Sequence, residues 1–544
     1  MKKKICVVLA LTVLFSCVMC AGIPAAAKDA ALCDTAADAD LPGVGAGYGL
    51  AQSCADGNIL HCFNWTLSQI KAELPNIAKA GFSAVQTSPL QPHDGGRQWY
   101  WLYQPTNFTV GNDLGSYNDL KALCSEADKY GVKVIVDVVA NHLSGGNNGS
   151  WGGIDNSLRK SEYFHNQGPC NDIDNRYDLT HKNIGMPDLN SEHTDIQNRV
   201  YDMAVNLKNA GVDGIRWDAA KHIGLPSEGC AFWSKMAGLG IYQYGEILDA
   251  PAGKSGDEVN NALIQEYAGY IGVTDEPYSS TITQAIRDGR VAKSNGHWLK
   301  RGVSAERLVY WGESHDTYGN DEWTNNLDQN VIDRAYAILG ARANSQTLYL
   351  SRPYAKAHTA INYATKGTTH FTSKEVAAVN HFHNAMIGTA EKYSTSSGCY
   401  VVCREGGAVI VSPKGMDIDV TVTNADSMVP AGTYTDEVSG SAWTVTAATI
   451  SGHINDTGIA VIYDVDKIGQ KTTLIGDTDL NGEIMILDAT YIQRYLVSLQ
   501  KLSPQALAAA DADQDKSVTI LDATAIQRYL AGLKDKTSHV GETL

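Results

Sequence analysis

Short apolar runs alternate with stretches of helical period from about residue 59 to residue 386, and this alternation limits the possible folds strongly. Such alternation predicts a parallel sheet covered by helices, and eight strands favour a closed (β/α)8 TIM barrel. An open, doubly wound sheet is the alternative, but no glycine-rich nucleotide fingerprint follows the first strand. Strands are predicted at 59–63, 84–87, 132–138, 211–217, 241–247, 269–273, 308–311 and 347–350, and helices at 67–80, 117–130, 194–209, 228–239, 278–289, 328–343 and 374–386.

One connection of the predicted barrel is unusually long. Residues 143–193, about fifty residues where a few are usual, lie between the third strand and the helix that begins at 194, and they are rich in Asn, Asp, Gly and Tyr. Loops at the carboxyl ends of barrel strands carry the active site. We therefore expect an inserted subdomain after strand 3 that forms one wall of a cleft.

Ionisable side chains occur at the ends of several predicted strands. Arg216 and Asp218, two residues apart, would point to the same face of one strand end. A structural ion pair could explain these two alone, but other strand ends carry similar residues, and barrel closure would bring them to one mouth. The others are Asp137, Asn141 and His142 on the third strand, Glu246 on the fifth, and His315 and Asp316 on the seventh. This convergence predicts an active site.

The N-terminal residues indicate export. Residues 1–27 combine early lysines, a short apolar run and small residues, which predicts a secretory signal peptide followed by a flexible segment at 28–47. No later segment is long and apolar enough to predict a transmembrane helix. The formal net charge of −17 disfavours nucleic acid and anionic membranes as partners, because both select basic patches.

The pattern changes after the predicted barrel, which we place at 48–388. Residues 389–466 contain short Val, Thr and Tyr runs broken by Gly and Pro, and they predict an antiparallel β-sandwich domain. Carbohydrate binding and a passive packing role both remain open for this domain. A polar linker is expected at 467–473, followed by a repeated module at 474–536.

The repeated module contains two similar loops, 477–488 and 511–522, each followed by the residues IQRYL. Oxygen-bearing side chains at loop positions 1, 3, 5 and 12 suit a hard cation such as calcium, and two copies in register predict two calcium ions. The second site is expected to be weaker, because Lys516 replaces the usual glycine. The predicted ligands are Asp477, Asp479, Asn481, Glu483 and Asp488 in the first loop, and Asp511, Asp513, Asp515, Ser517 and Asp522 in the second.

Cysteines outside the predicted signal peptide are too sparse for a disulfide scaffold. Cys399 and Cys403 could bridge locally across strands, or could both be free buried thiols.

Five sequence motifs resemble those of the α-amylase family, glycoside hydrolase family 13. They are DVVANH at 137–142, MPDLN at 186–190, GIRWDAAKH at 214–222, GEI at 245–247 and ESHD at 313–316, and they occur in the family's order. The resemblance extends over about 47–465 and looks closest to bacterial saccharifying α-amylases. It implies Asp218 as the nucleophile, Glu246 as the general acid/base and Asp316 as a third carboxylate that helps to distort the sugar.

Elementary chemistry agrees with these implied roles. A retaining glycosidase needs one ionised and one protonated carboxyl about 5 Å apart. Arg216 would keep Asp218 ionised, whereas Glu246 has no adjacent cation in the sequence, so its pKa is expected to be raised.

The same resemblance implies ligand contacts and a cofactor. A calcium ion between barrel and insert would be held by the side chains of Asn141 and Asp188 and the carbonyl of His222, with one further ligand from 175–179. Chloride is not expected, because Ser314 stands where chloride-binding members carry Asn. The resemblance implies His142, His315, Tyr103 and Lys221 as substrate contacts. Further predicted substrate contacts are Arg216, Gln104, Tyr100 and Asp137.

The repeated module resembles a dockerin, which binds cohesin modules on scaffoldin proteins. Ile486 and Leu487, and likewise Ile520 and Leu521, are apolar at loop positions where many dockerins carry Ser or Thr, so the cohesin class stays open. The helix residues that follow the two loops, which contain IQRYL in both copies, present near-duplicate faces. These two faces offer two related docking modes. A calcium module without a partner is the alternative.

The expected function is that of a secreted, endo-acting α-amylase, which hydrolyses α-1,4 bonds of starch and α-glucan oligosaccharides with retention and is anchored through its dockerin. One alternative is a non-catalytic starch-binding or scaffold protein. Another is a debranching or transglycosylating enzyme of the same family.

Overall fold

The computed structural model describes residues 48–145, 151–468, 474–480, 482–533, 536–542 and 544. The predicted signal peptide, the segment 28–47, the ligand Asn481 and most of the predicted linker lie outside these residues. The chain divides into two compact units, Met1–Ile387 and Gly388–Leu544.

The first unit is built around a closed parallel barrel. Its strands follow the order β1-β8-β7-β6-β5-β4-β3-β2 around the barrel. They are almost completely buried, as the uninterrupted apolar runs of the sequence require for strands covered on both faces. The barrel prediction is confirmed. Its strands are β1 (Ile59–Cys62), β2 (Ala84–Thr87), β3 (Lys133–Val139), β4 (Gly214–Asp218), β5 (Tyr242–Gly245), β6 (Gly272–Thr274), β7 (Leu308–Trp311) and β8 (Gln346–Leu350).

Helices surround the barrel, and several begin at caps that the sequence encodes. Thr66 and Ser116 each close a capping box, and the second of the capped helices ends at Gly131 with a left-handed φ of 73°. The helices of this unit are α1 (Leu67–Lys79), α2 (Tyr117–Tyr130), α3 (Arg176–His181), α4 (Thr194–Asn209), α5 (Phe232–Ala237), α6 (Asp257–Tyr270), α7 (Glu276–Arg287), α8 (Gln329–Gly340) and α9 (Lys374–Ala385).

Two helices were not predicted from the sequence, α3 in the insert and α6 between β5 and β6. The buried face of α6 includes Asn260, and this polar residue interrupts the apolar period. Its amide donates to the carbonyl of Gly256 and its oxygen accepts from the N–H of Ala252, so a tertiary contact replaces the missing apolar side chain. The helix predicted at 228–239 is also shorter in the structure.

The second unit contains two antiparallel sheets, ordered β9-β10-β11-β16 and β12-β15-β14-β13. Buried residues of both sheets share one core that includes Trp443, as in a β-sandwich. The strands are β9 (Glu391–Ser396), β10 (Cys399–Arg404), β11 (Gly407–Val411), β12 (Ile418–Thr423), β13 (Gly432–Thr435), β14 (Ala442–Val445), β15 (Thr449–Ile454) and β16 (Ile459–Tyr463).

Cys399 and Cys403 lie on the same strand, β10, and both thiols are free and buried. Four residues of extended chain separate them by about 13 Å, whereas a disulfide needs Cα atoms within about 7 Å. The local bridge considered above is therefore excluded.

The repeated module folds as α10 (Ile486–Leu496), α11 (Pro504–Ala510) and α12 (Ile520–Leu530), with a small core that includes Ile492 and Ile526. Among the described residues of the whole chain, no helix has both the length and the apolar character needed to span a bilayer.

Candidate active site

An open cleft lies at the carboxyl ends of the barrel strands. Most of the residues predicted to act or to bind there line it together, which is what parallel closure of the barrel requires. These residues are Asp218, Glu246, Asp316, Tyr100, Tyr103, Gln104, His142, His315, Lys221 and His222.

Arg216 connects the carboxylates at the base of this cleft. One of its terminal nitrogens donates to both oxygens of Asp137, at 2.8 and 2.9 Å, and to Asp218 at 2.9 Å. The other contacts Glu246 at 2.5 Å. Arg216 and Asp137 are buried and are not among the residues that line the cleft. The structure therefore places them below the carboxylates that they orient.

The surroundings of Glu246 correct one sequence argument. The sequence showed no neighbouring cation, whereas the fold places Arg216 against this carboxyl. Burial nevertheless raises the pKa of Glu246, the charge of Asp218 adds to this effect, and Arg216 opposes it. The pKa of Glu246 is therefore raised, as predicted, but the predicted reason, the absence of a nearby cation, was wrong.

Asp316 shares this environment. Burial raises its pKa well above the usual value, and the charges of Glu246 and Asp321 raise it further. A hydrogen bond joins the side chains of Asp316 and Glu246. Because both carboxyls have raised pKa values, the pair holds a proton more strongly than free carboxyls do.

The two cleft histidines are held in their neutral forms. Burial lowers the pKa of His142, and burial together with the charges of His61 and Arg216 lowers that of His315. His142 Nε2 lies 2.9 Å from the Tyr103 carbonyl and must donate to it. A neutral His142 therefore has a lone pair on Nδ1, which has no hydrogen-bond partner in the described part of the chain. This lone pair is a buried hydrogen-bond acceptor.

The ends of β4 and β5 are tied together next to Asp218. The N–H of Ala219, a residue with a positive φ of 49°, donates to the Glu246 carboxyl at 3.1 Å. The N–H of Glu246 donates to the carbonyl of Trp217 at 2.9 Å. These bonds fix the relative positions of the two carboxylates before any ligand binds.

Aromatic rings form one wall of the cleft. Tyr103 stacks on His315 with 5.1 Å between ring centroids, and Tyr100 stacks on His358 at 5.0 Å. Sequence reasoning missed His358 because it lies in the loop after β8, outside any motif. It also missed Ile184, Met186, Asn320 and Asp321, which line the same cleft.

The predicted barrel calcium site has oxygen donors that suit this ion. The Asn141 amide lies 3.3 Å from one oxygen of Asp188, while His165 contacts the other at 2.6 Å. Burial raises the pKa of Asp188 to about 6, and the hydrogen bond from His165 opposes this shift. In the region expected to supply a further ligand, the Leu179 carbonyl accepts from His222 Nδ1. The donor set fits calcium, and the site remains a prediction.

Each predicted calcium loop of the second unit gathers carboxylates. Asp477, Asp479 and Asp488 have ligand atoms within 4.8 Å of one another, as do the second-loop residues Asp511, Asp513 and Asp522.

The position-6 residues make the same turn in both loops. Gly482 and Lys516 both have positive φ, 94° and 73°, and their N–H groups donate to Asp477 and Asp511. The second loop thus makes its turn without glycine, at some cost in backbone strain.

A closed (β/α)8 barrel with convergent carboxylates in an open cleft defines a class of enzyme to which many glycoside hydrolases belong. Comparisons with known proteins narrow this class. The family description "Alpha amylase, catalytic domain" matches residues 64–236, and "Dockerin type I domain" matches residues 475–531.

Two relatives identified by sequence similarity are also α-amylases. An α-amylase from Clostridium acetobutylicum is 32% identical over 486 residues, which are 82% of this chain and 60% of the relative. An α-amylase from Butyrivibrio fibrisolvens is 29% identical over 508 residues, 80% of this chain and 50% of the relative. The chain thus spans only 50–60% of the length of these relatives.

Solved structures show the same fold. An α-amylase I variant from Eisenia fetida in complex with maltohexaose has a TM-score of 0.62 at 18% identity, covering 76% of this chain and 97% of that one. A cyclomaltodextrin glucanotransferase has a TM-score of 0.60 at 17% identity, covering 75% and 99%. The present chain contains an α-amylase catalytic domain of the glycoside hydrolase family 13 type and a C-terminal dockerin type I domain.

Proposed function

We propose that this protein is a secreted α-amylase that cleaves internal α-1,4 bonds of starch and related glucans with retention of configuration. The observation that carries the proposal is the single guanidinium of Arg216, which contacts both Asp218 and Glu246 at the base of an open cleft. Two carboxylates that contact the same guanidinium are close enough to suit the double displacement of a retaining enzyme.

In the proposed first step, the Asp218 carboxylate attacks the anomeric carbon and forms a glycosyl-enzyme. The bond to the leaving oxygen breaks as that oxygen takes the proton of Glu246. In the second step, Glu246 removes a proton from water, the water oxygen attacks the anomeric carbon, and Asp218 is released. Asp316 would bind and distort the sugar. His142, His315, Tyr103 and Lys221 would orient it.

Internal cleavage is supported by the openness of the cleft, and product analysis tests it. Amylose should yield a mixture of short maltooligosaccharides from the earliest times, while pullulan should remain largely intact. Preferential cleavage of pullulan, or cyclic products, would favour the debranching or transglycosylating alternatives.

Calcium is part of the proposal. In the catalytic domain, Asn141, Asp188 and the His222 carbonyl would hold one ion, and each dockerin loop would hold another. A calcium ion bound there would supply positive charge that cross-links the insert to the barrel. Chloride independence also remains a prediction. Export is supported by the composition of residues 1–27, and recovery of a mature protein that lacks them would test it.

Asp321→Asn is expected to shift the alkaline limb of the kcat/KM profile to lower pH, by up to about one unit. Burial and the charge of Glu246 raise the pKa of Asp321 to about 6, and its own charge raises that of Asp316. Removing this charge lowers the pKa of the Asp316–Glu246 pair, so the catalytic proton is lost earlier as pH rises. The proposed effect of the Asp321 charge on the Asp316–Glu246 pair would be contradicted if the alkaline limb of the kcat/KM profile did not move. It would also be contradicted if the exposed control Glu306→Gln moved the limb by the same amount.

For the dockerin, we propose calcium-dependent binding to a cohesin through the faces that follow the two loops. Leu487 and Leu521 are 44% and 66% exposed at equivalent positions of the repeat. Removal of the chain after Gln470 should abolish cohesin binding in the presence of calcium while starch hydrolysis persists.

The two docking modes can be separated by substitution. Leu487→Asp and Leu521→Asp should each be tolerated alone, because the other face can still dock, and together they should abolish binding. Binding would be measured against a panel of cohesin modules by calorimetry. If calcium-loaded protein binds no cohesin of the panel, or if the double variant binds as the wild type does, the proposed docking role is wrong.

A further inference from the structure

We propose a second metal site in the insert, formed by His165, His181 and Glu192, which takes a divalent transition cation of the zinc class. One ligand atom from each residue lies within 4.8 Å of the other two. The three residues come from separate segments: a loop, the last turn of α3 and the turn before α4. A metal ion there would cross-link the insert at a point next to the predicted calcium ligand Asp188.

Hydrogen bonds orient the His181 ring for this role. The Thr180 hydroxyl donates to the Arg176 carbonyl at 2.9 Å, so its oxygen is left to accept from His181 Nδ1 at 2.8 Å. The other ring nitrogen, Nε2, consequently presents its lone pair, and it lies 4.0 Å from the Glu192 carboxyl. Tyr177 stacks on the ring with centroids 4.3 Å apart and planes at 13°, which restricts its rotation.

His165 has the arrangement that metal-binding histidines commonly show. Its Nδ1 lies 2.6 Å from Asp188, and its Nε2 points to Glu192 at 2.7 Å. A carboxylate on the far ring nitrogen fixes the ring and strengthens the nitrogen that faces a metal. The two imidazoles lie side by side, with ring centroids 4.7 Å apart.

The donor set selects the class of ion. Two imidazole nitrogens and one carboxylate oxygen suit Zn²⁺ and neighbouring first-row ions, whereas calcium takes oxygen ligands. Tetrahedral coordination places the ligand atoms about 3.3 Å apart. His181 Nε2, at 4.0 Å from Glu192, would move closer, whereas His165 Nε2, at 2.7 Å, would give up its shared proton and move slightly away. The side chains of His181 and Glu192 are each 30% exposed, so they have room to make this adjustment. Their exposure also leaves the fourth coordination position accessible to water.

The experiment uses the full chain with saturating calcium, so that the oxygen-rich sites are filled. Zn²⁺ alone is titrated by calorimetry, and Co²⁺ is titrated by its visible absorption, which reports imidazole coordination and geometry. We expect one site in the wild type, with affinity reduced by at least about 100-fold in His181→Gln. The control Glu162→Gln removes an exposed carboxylate of the same insert and should leave the affinity unchanged.

A second measurement guards against a misfolded variant. Without Zn²⁺, His181→Gln and the wild type should have similar melting temperatures, since this ring is only partly buried. With Zn²⁺, the wild type alone should gain thermal stability. Equal Zn²⁺ affinity in the wild type and His181→Gln, or no tetrahedral Co²⁺ spectrum, would overturn the proposal. Neither measurement depends on starch hydrolysis, so the result is independent of the proposed enzymatic function.

Discussion

Asp218→Asn is expected to lower the rate of sugar release from soluble starch by at least about 10⁴-fold, because removal of a covalent nucleophile costs about this much. The amide keeps the shape of the carboxylate but cannot form the glycosyl-enzyme. Arg216 retains its contacts with Asp137 and Glu246, so the barrel should remain folded. The measurement is kcat/KM on soluble starch, with circular dichroism and thermal melting to verify the fold.

The matched control for this variant is Glu306→Gln. It makes the same chemical change at an exposed position of the barrel unit and should leave the rate within about two-fold, as expected for an exposed site away from the cleft. Substantial starch hydrolysis by Asp218→Asn would refute the assigned nucleophile. Lack of hydrolysis by the wild type on every α-glucan tested would instead favour the non-catalytic binding alternative.

Arg216→Met is expected to destabilise the barrel unit by about 3–5 kcal/mol and to abolish hydrolysis. The substitution leaves Asp137, Asp218 and Glu246 in a buried site without the cation that contacts all three. Denaturant unfolding followed by tryptophan fluorescence measures the loss. The control Arg290→Met removes an exposed arginine paired with Asp288, and it should cost less than about 1 kcal/mol.

The stability deficit of Arg216→Met should depend on pH. Burial already raises the pKa of Asp137 to about 7, despite the opposing charge of Arg216. Without that charge, the folded-state pKa values of the carboxyls rise further above their unfolded values. The folded variant then binds protons that the unfolded chain releases, so its deficit should shrink as pH falls from 8 towards 5. A deficit that is constant over this range would show that lost packing, rather than charge, is responsible.

These two variants test different links between the same residues. Asp218→Asn removes the proposed nucleophile and leaves the contacts of Arg216 with Asp137 and Glu246, whereas Arg216→Met removes those contacts and leaves the proposed reacting carboxyls. If both variants lose activity but only Arg216→Met loses stability, then Asp218 is needed for the reaction itself and Arg216 is needed to hold the carboxyls in place.

Local sequence predicted the bounds of elements correctly where an element pairs its own backbone hydrogen-bonding groups and buries a regularly spaced apolar face. The bounds of α2 and α4 and of strands β2 and β7 agree with the prediction, because apolar periodicity and capping residues specify them locally. Prediction from local sequence missed α6. In this helix Asn260 is buried by contacts to Ala252 and Gly256 that a helical pattern does not reveal.

By itself, the sequence determined the strand–helix alternation, the paired acidic loops and the identity of the carboxyl residues, because residue types and their periods are local properties. Only the tertiary structure decided which groups meet. Barrel closure places Arg216 against Glu246, thirty residues further along the chain, and brings His358 and Asp321 into the cleft. Burial and charge separation in three dimensions set the protonation of these groups, and neither can be read from neighbours in the chain.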